Sequence, residues 1–147
     1  MDLRNSPYFG ALRAQLGTLS ERQRLIAENI ANASTPGYVP RDVDMASFQA
    51  SLLATARRVG AAGAGGGAVP LAQTHAGHMT PGGGAPTLNR AAVIVRPDSE
   101  TTLDGNQVVL EEQTIRAAET RTAFETGLAL YQKGLQLMRM ASRPPGR

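Results

Sequence analysis

The chain is 147 residues long, with a net charge of +3, an apolar share of 41%, aromatics at 4%, and neither cysteine nor tryptophan. The length suits one domain, but an apolar share so rich in alanine buries little area, which argues against a compact globular core and for long helices packed through small residues. The absence of cysteine excludes a disulfide framework and thiolate chemistry; no apolar run reaches bilayer-spanning length, and the amino terminus lacks the apolar core of a signal peptide, so neither a transmembrane segment nor a cleaved signal is expected.

The first periodic segment runs from about Phe9 to Ala33. Phe9, Leu12, Leu16, Leu19, Gln23, Ile26 and Ile30 recur in steps of three and four, an a/d seam in which only Gln23 is polar. Pro7 suits the first turn of such a helix, where its missing N–H costs nothing. The helix should stop by Ser34 or Thr35, because Pro36 disfavours helical geometry in the residue before it. Thr35-Pro36-Gly37-Tyr38 has proline and glycine in the two central positions of a type II turn. Asn29 and Asn32 stand just before that break, where their side chains are placed to hydrogen-bond turn or neighbouring backbone. Tyr38 to Asp42 reads as extended.

Asp44 is positioned to cap a short helix near 45–58, with Met45, Phe48, Leu52 and Leu53 on one face and Arg57 and Arg58 at its carboxyl end. Between Gly60 and Pro86 the periodicity collapses: nine of the sixteen glycines fall there, and such a segment buries too little to offset its ordering entropy, so it is expected to be disordered. Ala91 to Arg96 is the one candidate strand, and a lone strand needs a partner.

The second long segment starts after the turn at Asp104-Gly105-Asn106 and runs to about Ser142. Leu110, Thr114, Ala117, Arg121, Phe124, Leu128, Tyr131, Leu135 and Met138 form a seam that strengthens after Phe124. Beside it runs a second stripe, Ala123, Gly127, Leu130, Gly134 and Leu137. Glycine inside a helix costs about 1 kcal/mol against alanine, so Gly127 and Gly134, seven apart on one face, suggest that another backbone comes close. Acids fill the first half of this segment and Lys133, Arg139, Arg143 and Arg147 follow, a distribution that complements a helix dipole and does not form a nucleic-acid footprint, which would interleave a basic patch with aromatics. Pro144-Pro145-Gly146 ends the element.

The predicted fold class is therefore mainly α: two long terminal amphipathic helices with coiled-coil-like heptads, a short helix between them, and a Gly/Ala-rich, largely disordered middle with at most one short strand. The segments are 1–59, 60–100 and 101–147, the first and last forming one helical domain. Two-helix pairs are rarely stable alone, and the apolar stripes of the last helix exceed what one partner covers, so self- or hetero-association is expected.

Catalytic chemistry has no footing here. His75 and His78 lie in the Gly-rich segment with no cysteine or carboxylate within ten residues, and two ligands do not make a structural zinc site. The glycine triplets at 65–67 and 82–84 lack the Lys-Ser/Thr of a phosphate loop, and there is no Gly-x-Ser-x-Gly elbow. No enzyme, cofactor, metal or small-molecule substrate is expected.

The stretch "ENIANASTPGYVPRDVDMASFQ" resembles the signature of the bacterial flagellar axial proteins, the rod and hook family, on Asn29, Ile30, Ala31, Asn32, Thr35, Gly37 and Tyr38, with Pro36 as the variant of the turn most similar to a small proximal-rod member. "DGNQVVLEEQTIRAAETRTAFETGLALYQKGLQLMR" is similar, more loosely, to that family's last helix. The resemblance implies a structural subunit that polymerises with itself and other rod and basal-body proteins into a hollow, torque-carrying shaft, its two terminal helices packed together. Phe9, Leu12, Leu16, Leu19 and Ile26, with Phe124, Gly127, Leu128, Tyr131, Gly134, Leu135 and Met138, are the helix-packing candidates. It also implies passage through the flagellar type III export apparatus without a cleaved signal, into the periplasm-spanning rod. Phe48 and Leu52 in "FQASL" fit an export-gate recognition element, against the plainer reading of Phe48 as core. Another small rod protein of the same family, or a cytoplasmic coiled-coil adaptor or export chaperone that stays in the cell, are the competing identities.

Overall fold

A computed structural model describes residues 7–64 and 91–142. Three helices and a two-stranded sheet follow in the order α1 (Pro7–Ala31), β1 (Arg41–Val43), α2 (Met45–Ala64), β2 (Val93–Val95) and α3 (Leu110–Ala141). His75, His78, both glycine triplets, Arg143, Arg147 and Pro144-Pro145-Gly146 lie outside the described residues, as does the part of the Gly-rich segment from 65 to 90.

Local chemistry accounts for the helix ends. Pro7 opens α1 in the position where its missing donor is harmless. Asp44 caps α2, its Oδ1 accepting the Ser47 backbone N–H at 3.0 Å. That bond, with the Ser47 hydroxyl, holds the Asp44 carboxyl below the usual carboxylate range. α2 runs on past Arg57 to Ala64, through Gly60 and Gly63, farther than its cap-and-charge pattern predicts. α3 carries Glu111 and Glu112 in its first turn and Arg139 in its last, as the helix dipole favours.

The two long helices pair antiparallel within the chain. Phe9 faces Gly134, Leu16 faces Gly127, and Asn29 reaches Gln113. Phe9 also stacks edge-on against Tyr131, with ring centroids 5.3 Å apart. At 1.5 Å per residue the 25-residue α1 spans about 37 Å, and the 32-residue α3 overhangs it. The core is a thin line along this seam, with Phe9, Leu12, Leu19, Leu25 and Ile26 from α1, joined by Val43, Phe48 and Val108.

The buried faces differ from strict heptads. On α1, Gln23 and Ile30 turn to the surface, and Leu25 and Asn29 take the buried places. A straight α-helix repeats every 3.6 residues, so a seam written at 3.5 drifts about 20° per heptad. On α3 the centre of the contact is Gln113, Thr120 and Gly127. Ala117, Phe124, Tyr131, Leu135 and Met138 flank it half-buried, while Leu110, Thr114, Arg121 and Leu128 are exposed. The glycines are closed by side chains from α1: a Cβ at Gly127 would lie 3.1 Å from Leu16 Cδ2, and one at Gly134 would lie 3.0 Å from Phe9 Cζ. The close approach expected from another backbone is thus made by two apolar side chains of the same subunit.

The candidate strand has its partner inside the chain. β2 pairs antiparallel with β1 in the register Arg41↔Val95, Asp42↔Ile94, Val43↔Val93. Asp44 N–H to Ala92 O (2.8 Å) and Arg96 N–H to Pro40 O (2.9 Å) extend the ladder at both ends. This pairing draws residues 91–100 out of the linker that composition assigns to 60–100.

Candidate functional site

α1 ends in a polar joint. Asn29 is 1% exposed, and its carboxamide makes four hydrogen bonds. Nδ2 donates to Arg41 O (2.8 Å) and to Gln113 Oε1 (3.2 Å). Oδ1 accepts from Arg41 N–H (3.0 Å) and from the Tyr38 hydroxyl (3.1 Å). Two donors and two acceptors are the whole capacity of an amide side chain, so Asn29 keeps nothing for a neighbouring subunit. Its paired bonds to the N–H and C=O of Arg41 do for β1 what another strand would do.

Asn32 works locally. Its Nδ2 donates back to Glu28 O (2.8 Å), and its Oδ1 accepts the Thr35 hydroxyl (3.2 Å). Gly37 has φ +67 and Tyr38 N–H donates to Thr35 O at 3.2 Å, so the Thr35–Tyr38 turn forms with proline and glycine in the predicted places. The side chains of Ile30, Ala31, Thr35 and Pro36 stay at the surface.

A second loop locks onto this turn. Gly37 N–H donates to Asp104 O and Gln107 N–H to Tyr38 O, each at 3.0 Å. Asn106 is 1% exposed, and its Nδ2 donates to Asn32 O (2.9 Å) and Thr35 O (2.7 Å). These carbonyls belong to the turn that follows α1 and already accept the Thr35 and Tyr38 backbone N–H groups (3.0 and 3.2 Å), so an asparagine some seventy residues away gives each a second donor and clamps the turn. Gly105 has φ +80 and lies against Gly37, where an added Cβ would be 3.6 Å from the Gly37 Cα. Asp104 is held below the usual carboxylate range, first by the Thr102 hydroxyl and then by the Asn106 N–H.

The network continues into α3. Gln113, fully buried, passes from Asn29 to Asp98 by donating Nε2 to Asp98 Oδ2 at 2.8 Å. The Asp98 side chain is inaccessible to solvent, accepts the Val109 N–H at the mouth of α3 (2.8 Å), and pairs with the Arg116 guanidinium. Arg116 also holds Glu112 at 2.9 Å. On the other side of the joint, Asp42 takes a two-pronged bond from Arg22 (2.9 and 3.2 Å) and a third contact from Arg96 (3.3 Å). Charged groups this deep are tolerated only when paired and hydrogen-bonded. Among the described residues no buried side-chain polar atom lacks a partner.

The arrangement is mechanical. It ties together the end of α1, the turn, β1, the 98–109 loop and the start of α3. Among the described residues no three histidines or carboxylates converge as metal ligands, and no helix is long and apolar enough to cross a membrane. Of the residues anticipated from sequence, Asn29, Asn32, Gly37 and Tyr38 meet here. Phe9, Leu12, Leu16, Leu19, Ile26, Phe124, Gly127, Tyr131, Gly134, Leu135 and Met138 lie along the helix seam, whereas Leu128 is 40% exposed. Phe48 is 2% exposed and Leu52 is half-buried, so the folded chain does not present that pair together as a recognition element. The sequence marks Asn106 only as a turn residue, and it does not mark Gln113, Asp98, Arg22 or Arg116 as site residues. For Asn106 a signal exists in the Asp-Gly-Asn turn. For the others it does not, because their partners lie far along the chain.

Fold and joint together define a class: an antiparallel helical hairpin cross-braced by a buried polar corner, in which the signature asparagines are structural. The particular family follows from its relatives. The chain is 33% identical over 133 residues to the flagellar basal body rod protein FlgB of Salmonella typhimurium, covering 87% of this chain and 89% of that protein. It is 35% identical over 123 residues to FlgB of Cereibacter sphaeroides (83% and 84% covered) and 31% identical over 122 residues to FlgB of Escherichia coli (81% and 83%). No family model matches the chain. The chain belongs to the FlgB family of flagellar basal body rod proteins.

Proposed function

We propose that this chain is a structural subunit of the proximal rod, assembling with copies of itself and with other rod proteins into the hollow shaft that transmits torque. The observation that carries the reading is the match to relatives named as basal body rod proteins over more than four-fifths of both chains. The fold supports it. The signature residues Asn29, Asn32, Gly37 and Tyr38 brace the joint, and large apolar side chains remain exposed along α3 and β2, including Leu130, Leu137 and Val95. Coiled-coil character belongs, in this reading, to the assembled shaft, where neighbours cover what one hairpin leaves open.

The subunit leaves the cytoplasm unfolded through the flagellar type III apparatus and without a cleaved signal. Phe48, buried once folded, is then legible to an export gate only in the unfolded chain. In the rod the subunit does no catalysis and takes no cofactor. An in-frame deletion tests the function: cells should lose filaments and swimming, and complementation should return the chain to purified basal bodies. Normal swimming in the clean deletion, or a complementing chain found only in the cytoplasm, contradicts it.

A further inference from the structure

α1 carries a second pair of glycines at heptad spacing. Gly10 and Gly17 lie on the side turned away from α3, and a Cβ added at either would meet nothing within 4 Å among the described residues. Each costs about 1 kcal/mol against alanine in a helix, and among the described residues no contact inside the subunit accounts for that cost. α3 carries the converse feature. Leu130 and Leu137, also seven apart, stand on one flank of the seam and are 49% and 53% exposed. A single exposed leucine says little, but these two form a ridge. Leu130 also borders a groove of about 650 Å³ between α3 and Gln15 of α1, floored by the small side chains of Ala118, Thr122, Ala123 and Thr126.

We propose that Leu130 and Leu137 of one subunit pack over Gly17 and Gly10 of a second copy of this chain. The proposal rests on the rod-subunit reading. Two observations commit the occupant to a second copy. The ridge and the glycine pair share one spacing. The same fit already exists inside the subunit, where Phe9 and Leu16 of α1 seat on Gly134 and Gly127 of α3 at that spacing. A neighbour stacked in the same orientation would set its α1 antiparallel to this α3, the direction in which the two helices pair within one chain, and in that register Leu130 would meet Gly17 and Leu137 would meet Gly10. Ridge and glycine face are different surfaces of one chain. The contact is therefore head-to-tail, leaves one of each free at the ends, and propagates rather than closing into a pair.

The chain has no cysteine, so a Gly17→Cys, Leu130→Cys variant reports this contact alone. Produced in place of the native chain and oxidised in isolated basal bodies, it should give a ladder of dimers, trimers and larger multiples. Gly17→Cys with Leu137→Cys, out of register by about 10 Å, should give none. Gly17→Leu should keep the free subunit's helicity, since among the described residues nothing lies within 4 Å of the added Cβ, yet abolish rod assembly. No cross-link, a monomer of altered mobility, dimers alone, a cross-link only to another protein, or normal swimming with Gly17→Leu would each overturn the proposal. Deletion cells that still swim would remove the rod reading itself; deletion cells that do not swim, combined with an absent ladder, remove only this contact.

Discussion

Asn29 has no spare hydrogen-bonding capacity, and that makes it the most demanding position in the joint. Asn29→Asp keeps the shape but removes both donors. It sets a carboxylate oxygen against Arg41 O and Gln113 Oε1, neither of which can donate in that geometry. The expected loss is about 3 kcal/mol or more, as for other buried groups left without a partner, read as a lower urea midpoint by circular dichroism. An unchanged midpoint would show that the donors are dispensable. Asp104 offers a gentler probe. Its folded pKa is depressed, so its contribution is present above the ordinary carboxylate range and is lost as pH falls through the folded value. Thr102→Val removes the leading cause and should move the Asp104 titration, followed by carbon-detected NMR, upward toward the ordinary value. A curve that stays put would mean that the hydroxyl does not stabilise the carboxylate.

At the scale of the element, the α1–α3 pair depends on glycines that α1 fills. Gly134→Leu would drive a branched side chain into Phe9 and Tyr8, which lie 3.0 and 3.3 Å from where its Cβ would sit. Overpacking of that kind costs about 1–3 kcal/mol, so the free subunit itself should lose stability, before any question of assembly arises. Gly127→Ala is the contrasting case. Its methyl meets the flexible end of Leu16 at 3.1 Å, and the gain in helix propensity, about 1 kcal/mol, offsets the crowding. Thermal melts should rank Gly134→Leu well below Gly127→Ala, and Phe9→Ala should partly rescue the former by vacating the space. Equal melting temperatures for the two glycine variants would mean that the seam is looser than its distances indicate.

For the whole molecule, folding and export make opposite demands on Phe48. The folded chain buries it, whereas an export gate has to reach it. Phe48→Leu keeps an apolar side chain and should leave stability within about 1.5 kcal/mol. If the aromatic ring is read during export, secretion of Phe48→Leu into the medium of a hook-deficient strain should fall while its melting temperature barely moves. Secretion at the native level would leave Phe48 as a core residue only.

Much of this molecule is local and was therefore legible in the chain. Pro36 and Gly37 allow only a few backbone conformations, so the end of α1 and the turn after it follow from four residues. Asp44 caps α2 from the position just before its first residue. The charge order along α3 follows its dipole. Tertiary structure decided what depends on distant partners. Periodicity counts apolar side chains, so it drew the α3 seam through Leu128 and passed over Gln113 and Thr120, which sit at the centre with Gly127 because the side chains opposite them come from α1. The pairing of β1 with β2 spans some fifty residues, and the clamping of the turn after α1 by Asn106 some seventy. Each is a hydrogen bond that exists only after the helices have packed, so the chain alone specified its two helices and its corner, and only the fold decided which atoms brace them.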